Sequence, residues 1–176
     1  VGAPHHFEVV WTPGTVRSGV TMTNQPKVLV YDYKNNKLPN TGITITPSIV
    51  SAPAGAVLTA GTAGTDSNND TQFSGMSMVG PTGNYTLRFT ATSSTNTHPI
   101  HNTTVDSDLF TLSHGLANKL ALTTSASGAK AGQLLTTQPK ITVQDAQGNT
   151  VSSNVTRIKA TLLDSNGNAT TWAVWR

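Results

Sequence analysis

The sequence predicts an all-β protein folded as a Greek-key β-sandwich, and three observations carry that expectation. Apolar residues fall in short runs that alternate at period two, the spacing that puts every second side chain on one face of a strand. Clusters of Gly, Pro, Asn and Asp separate those runs at intervals suited to turns. Charged residues make up only 11% of the chain, Thr, Ser, Asn and Gly are abundant, and no apolar stripe repeats at helical spacing.

Taken in order, Phe7, Val9 and Trp11 point one way along a first strand that Pro13-Gly14 ends. Val28 and Val30 continue the inward set with Met22, and Lys34-Asn35-Asn36-Lys37 makes the next turn. A strand runs from Ile43 through Ile45 to Val50, and Ser51-Ala52-Pro53-Ala54-Gly55 breaks it. Phe73, Met76 and Met78 follow. Gly80-Pro81-Thr82-Gly83-Asn84 then turns into a strand with Tyr85, Leu87 and Phe89 on one side and Thr86, Arg88 and Thr90 on the other. Leu109 to Leu112 closes the set. The expected core is Phe7, Val9, Val28, Val30, Ile45, Phe73, Leu87, Phe89 and Leu109. Roughly seven short strands without a helix are what a Greek-key sandwich needs.

The chain also matches itself. At a shift of 113 residues, Gln25-Pro26-Lys27-Val28-Leu29-Val30-Tyr31-Asp32 falls on Gln138-Pro139-Lys140-Ile141-Thr142-Val143-Gln144-Asp145. With no gap, the same shift pairs Phe7 with Leu120, Val9 with Leu122, Gly19 with Gly132, Asn36 with Asn149 and Leu38 with Val151. A period this long is a whole domain, so the organisation expected is tandem beads and not a fine-grained solenoid. Residues 5–113 read as one complete domain, 114–118 as a short linker and 119–176 as the first half of a second copy. That half would leave Leu120, Leu122, Ile141, Val143 and Ile158 on an inner face without opposing strands. It is expected to be disordered at its end, to pack on the first domain, or to self-associate.

The run from Thr136 to Val151, with Gln138-Pro139-Lys140-Ile141-Thr142-Val143-Gln144-Asp145-Ala146-Gln147-Gly148-Asn149 at its centre, resembles the signature of bacterial immunoglobulin-like repeats of long surface and secreted proteins. Thr71-Gln72-Phe73-Ser74-Gly75-Met76-Ser77-Met78 and Gly83-Asn84-Tyr85-Thr86-Leu87 supply the later half of that pattern. The resemblance implies an immunoglobulin-like sandwich, an extracellular or cell-surface location, and neighbouring repeats of the same chain as partners. The role expected is a non-enzymatic spacer or stalk. Alternatives are an adhesin domain whose loops bind a host protein or glycan, and an accessory domain of a secreted enzyme. The second unit departs from the pattern at Trp172-Ala173-Val174-Trp175-Arg176, before any counterpart of the Phe73 or Tyr85 strands.

Charge and composition exclude several function classes. The net charge of +3 lies in the second segment, where six cations face two carboxylates from His114 onward, against five facing six up to Ser113. Those cations are spread singly without interleaved aromatics, so a nucleic-acid surface is not expected. With no cysteine there is no disulfide, thiol nucleophile or thiolate metal site. No stretch approaches the roughly 20 apolar residues of a membrane helix. The start at Val1-Gly2-Ala3-Pro4, without an initiator Met or a signal peptide, fits a processed or excised segment.

Candidate chemistry is sparse. His98-Pro99-Ile100-His101 and His5-His6 offer imidazoles for a metal, but Pro99 prevents a helical pairing of its neighbours and no carboxylate set completes a sphere, so loop histidines are expected. Asp32 and Asp145 stand at equivalent places before a turn. Calcium there would require several converging oxygens, whereas a turn carboxylate accepting backbone N–H groups requires only Asn36 or Gly148-Asn149 beside it. Asp106 and Asp108 are expected to face solvent, Glu8 is the only glutamate, and no Gly-x-Ser-x-Gly elbow supports a Ser nucleophile. Gly61-Thr62-Ala63-Gly64 lies between strand candidates and opens no helix, so it is no phosphate cradle. Sequons at Asn69, Asn84, Asn102, Asn154 and Asn168 read as compositional, and Trp172 and Trp175, three apart, cannot share one strand face as a sugar platform. No catalytic, cofactor-binding or metal-ligating residue is expected, and no cofactor.

Overall fold

The computed structural model describes residues 2–11, 13–39, 42–65, 68, 70–93, 103–152 and 157–170. His98, His101, Asn69, Asn102, Asn154, Trp172 and Trp175 lie outside them. Among the described residues there is no helix, and so none long and apolar enough to cross a membrane. The strands are β1 (His6–Val10), β2 (Val16–Arg17), β3 (Val20–Thr21), β4 (Lys27–Tyr31), β5 (Lys37–Leu38), β6 (Ile43–Ser51), β7 (Val57–Thr59) and β8 (Thr62–Thr65). They continue as β9 (Thr71–Ser74), β10 (Ser77–Val79), β11 (Gly83–Ser93), β12 (Thr104–Asp106), β13 (Phe110–Ser113), β14 (Lys119–Thr124) and β15 (Lys140–Gln144).

Period-two alternation becomes burial. Val28 and Val30 on β4 and Tyr85, Leu87, Phe89 and Ala91 on β11 are all buried, while the residues between them are not. One sheet has the order β1-β4-β9-β8, with β5 also on β4. Another is centred on β11, with β6 along one edge and β12 and β13 along the other, and β2 parallel to β13. A small sheet, β3-β10-β7, and a two-stranded one, β14-β15, complete the set. Phe73 on β9 meets Phe89 on β11 with ring centroids 5.5 Å apart, so the two larger sheets pack through their apolar faces around one core. The chain is therefore all-β, with several sheets in an arrangement consistent with a β-sandwich.

Two expectations need correction. Leu109, expected in the core, is 65% exposed, and Phe110 and Leu112 are buried instead. The cause is a break between β12 and β13: Ser107 N donates to Leu87 O at 2.8 Å, and its Oγ accepts from Leu87 N at 3.1 Å. One side-chain oxygen thus replaces a carbonyl of the ladder, and the alternation that runs through Val105 and Ser107 restarts one residue out of phase at Phe110. Gly61-Thr62-Ala63-Gly64 does not lie between strands, since Thr62–Thr65 is itself an edge strand paired with β9. Gly61 precedes it at φ 68°, and a Cβ there would collide with the Ser74 carbonyl. The two-residue strands β2 and β3 were not anticipated, because their pairing is long-range and two residues carry no period.

The second segment repeats the first hairpin. In β1–β4 Phe7 faces Val30 and Val9 faces Val28, and in β14–β15 Leu120 faces Val143 and Leu122 faces Ile141, the same register shifted by 113 residues. Burial differs completely. Phe7 is 7% and Val30 1% exposed, whereas Leu120 is 56% and Leu122 59% exposed, and Ile141 and Ile158 are exposed as well.

Phe89→Ala should destabilise the fold by about 3–5 kcal/mol, the range for an aromatic removed from a close-packed core, whereas Leu109→Ala should stay within about 0.5 kcal/mol of the parent. Denaturant midpoints of the two variants check this, and equal shifts would mean the phase change at Ser107 is wrong.

Candidate functional site at the repeat junction

Asp-led turns recur along the chain, and the second of them lies where the two segments meet. In the first, Asp32 Oδ1 accepts Lys34 N and Asn36 N, both at 2.9 Å, and Oδ2 accepts Asn36 Nδ2 at 3.0 Å and Gly2 N at 3.3 Å. In the second, Asp145 Oδ1 accepts Gln147 N at 3.0 Å and Asn149 N at 2.9 Å, and Oδ2 accepts Asn149 Nδ2 at 2.8 Å and Gly115 N at 2.7 Å. Asp164 repeats the backbone part, accepting Asn166 N at 2.9 Å and Asn168 N at 2.8 Å. Each turn needs one left-handed residue, filled by Asn35 at φ 61°, Gly148 at 88° and Gly167 at 80°. Asn tolerates that region and Gly has no Cβ to oppose it, which is why these types stand there.

The carboxylates respond to their donors. Burial alone would raise Asp145, but the N–H groups of Asn149, Gly115 and Gln147 outweigh it and hold the acid below its ordinary 3.8. Asp32, held first by the Asn36 side chain and then by backbone donors, is pulled down to about 2.

The second turn does more than close itself. Asn149 Nδ2 also donates to Gly80 O at 3.0 Å, and its Oδ1 accepts Thr82 N at 3.0 Å, so one primary amide spans from the β14–β15 hairpin to the turn before β11. Ser18 Oγ accepts Gly80 N at 3.1 Å and lies within hydrogen-bond reach of Gly80 O at 3.0 Å and Gln147 Oε1 at 3.2 Å. Arg17 Nε and Nη2 donate to His114 O at 3.3 Å and Gly115 O at 3.2 Å. The peptide that joins the segments is therefore held from both sides, by Arg17 of the first and Asp145 of the second. Gly115 is buried there, and a Cβ on it would collide with the Ser18 carbonyl and come within 3.3 Å of Asp145 Oδ2. Beside the joint lies a cleft of about 460 Å³ lined by Ser18, Val20, Leu116, Asn118 and Ala146.

The remaining sequence candidates are scattered. His5 and His6 face each other at 3.3 Å between their Nδ1 atoms, and His6 stacks on Tyr31 with centroids 5.3 Å apart. Asp106 is engaged by Arg88 at 2.7 and 2.8 Å on the surface, where solvent screens the pair. Asp108 is exposed, and Asn84 is exposed at the head of β11, its Oδ1 accepting Thr111 Oγ1 at 3.1 Å. Ser18, Gly80 and Thr82 were not legible as site residues. The match of Gly2 with Gly115 at the repeat shift was the one signal, since it places a glycine the same distance before each Asp. Comparison with protein-family models and with curated proteins finds no match to the chain.

Gly115→Ala should loosen the joint by about 1.5–3 kcal/mol, the worth of a hydrogen bond to a charged group, with the core of residues 5–113 unchanged; amide exchange of Asn149 and Thr82 is the readout. A protected Thr82 amide in that variant would show the joint does not depend on Gly115.

The pH response follows from Asp145. Its acid is lowered on folding, so its contribution is fully present above 3.8 and is lost as pH falls through the depressed folded value. Protection of the Gly115 amide should be flat from about pH 7 to pH 5 and decline only below the ordinary carboxylate range. A decline near neutrality would exclude Asp145 as the group responsible.

Proposed function

We propose that the chain is a stretch of an immunoglobulin-like array that serves as a non-enzymatic spacer or stalk in a bacterial-type surface or secreted protein. The strand order supports the immunoglobulin-like part of this reading, with β1-β4-β9-β8 on one side and β6, β11 and β13 on the other, and β2 lying parallel on the edge of β13. Tyr85 adds a second support. It is buried near the start of β11, and its hydroxyl donates back to Pro81 O at 2.8 Å, the arrangement of a tyrosine corner in such sandwiches.

The single observation that carries the mechanical reading is the held linker. A flexible connection between beads would leave its peptides to water, whereas here His114 O, Gly115 O and Gly115 N all have protein partners. Each bond has a charged partner, the Arg17 guanidinium or the Asp145 carboxylate, and together they fix orientation, which is what a spacer that transmits position requires. A stiff joint also explains why Asn149 and Ser18 spend their polar groups on the neighbouring segment.

Backbone amide relaxation at low concentration tests this. Strands β14 and β15 should tumble with the same correlation time as β11, and Asn149→Ala should shorten theirs alone. Independent tumbling in the parent chain would defeat the spacer reading.

The uncovered apolar face of β14–β15 gives the chain a second property, self-association through Leu120, Leu122 and Ile141. Light scattering should show the apparent mass rising with concentration, and Leu122→Asp should suppress that rise. A mass that stays monomeric at every concentration in the parent chain would rule this out.

A further inference from the structure

We infer that the Gly2 and Asp32–Asn36 end of the first unit is a docking surface for another unit of this same kind, taken by that unit's Arg17–Ser18 and Gly80–Thr82 end. The inference rests on the spacer reading and extends it to an interface that the structure leaves open.

The argument is a comparison of two ends. The joint between the segments is made by Gly115, Asp145 and Asn149 on one side and by Arg17, Ser18, Gly80 and Thr82 on the other. The first half of that joint is present a second time. Gly2 N donates to Asp32 Oδ2 as Gly115 N does to Asp145 Oδ2, and Asn36 Nδ2 donates to Asp32 as Asn149 Nδ2 does to Asp145. A Cβ on Gly2 would come within 2.9 Å of Asp32 Oδ2, so this glycine too sits hard against its carboxylate.

What differs is the far side. Asn149 spends its Oδ1 and its second N–H on Thr82 N and Gly80 O, whereas Asn36 is exposed and among the described residues its Oδ1 takes no hydrogen bond. The Asn36 amide is therefore already oriented by Asp32, with the same two groups presented outward. Tyr33 is a second, independent observation. It is 68% exposed, and it occupies the place of Ala146, which lines the cleft beside Ser18 and Val20 in the occupied joint. A docked unit would cover that ring. Lys34 takes the place of Gln147 and brings a donor to the hydroxyl of Ser18 that Gln147 meets through its oxygen.

The test puts the first turn into the joint that already exists. In the full chain, Ala146→Tyr, Gln147→Lys and Gly148→Asn together convert the second turn into the sequence of the first. Exchange of the Thr82 amide reads the outcome, with Asn149→Ala as the reference for a lost joint, about fivefold or more less protected than the parent. Protection within about twofold of the parent supports the inference, because it shows that the Asp32–Asn36 sequence engages the Gly80–Thr82 end. The double variant Ala146→Tyr with Gln147→Lys keeps Gly148 and guards against a misfolded turn. Loss of Thr82 protection to the Asn149→Ala level in both variants, with β11 amides unchanged, overturns the inference while leaving the spacer reading intact. A Thr82 amide that exchanges freely in the parent chain itself overturns both.

Discussion

The structure beyond the sandwich core depends on one buried carboxylate and the number of N–H groups it can accept. Asp145 is 1% exposed, and a carboxylate has about four lone-pair sites. Four donors fill them: the backbones of Gly115, Gln147 and Asn149 and the amide of Asn149. Two of these close the turn, one fixes the Asn149 side chain, and one holds the peptide that joins the segments. A buried charge left short of donors is costly, so turn, side chain and linker are coupled through the requirement that this charge be satisfied.

On the opposite side of the joint, the core itself supplies the partner. Tyr85 is fully buried, its hydroxyl bonds to Pro81 O, and that hydroxyl comes within 2.6 Å of where a Cβ on Gly80 would stand. Gly80 is therefore glycine because of close packing, and its backbone then serves two neighbours, donating to Ser18 Oγ and accepting from Asn149. The joint is thus anchored to the same tyrosine that pins the start of the central strand. A loss of packing around Tyr85 would be felt at the joint, because Gly80, packed against the Tyr85 hydroxyl, carries the bonds to Ser18 and Asn149.

The two hairpins show how little of burial is decided locally. The same register from Lys119 to Leu122 as from His6 to Val9, with similar residues, gives a closed core around Phe7, Val9, Val28 and Val30, and an open apolar face at Leu120, Leu122 and Ile141. The difference is the presence of β9 beside the first hairpin and of β11 across the core from it, with Phe73, Leu87 and Phe89 closing the apolar face. Hydrophobic area is stabilising only when something covers it, and over the second hairpin no described residue does so.

Much of the fold was legible in the residues. Period two along β4 and β11 placed Val28, Val30, Tyr85, Leu87 and Phe89 correctly, because an antiparallel strand with one buried face has to alternate. Asp32 and Asp145 could be assigned to turns, since Asp bonds its own following backbone over a few residues and needs no distant partner. Leu109 could not, because its phase is set by Ser107 bonding to Leu87, which lies twenty positions earlier in sequence and on another strand. The joint was hidden for the same reason. Local chemistry determined the Asp-led turns, the strand alternation and the repeat. Only tertiary structure decided that Asn149 reaches Gly80 and Thr82 and that Gly115 is buried beneath Ser18, because those contacts span most of a domain's length and leave no local pattern.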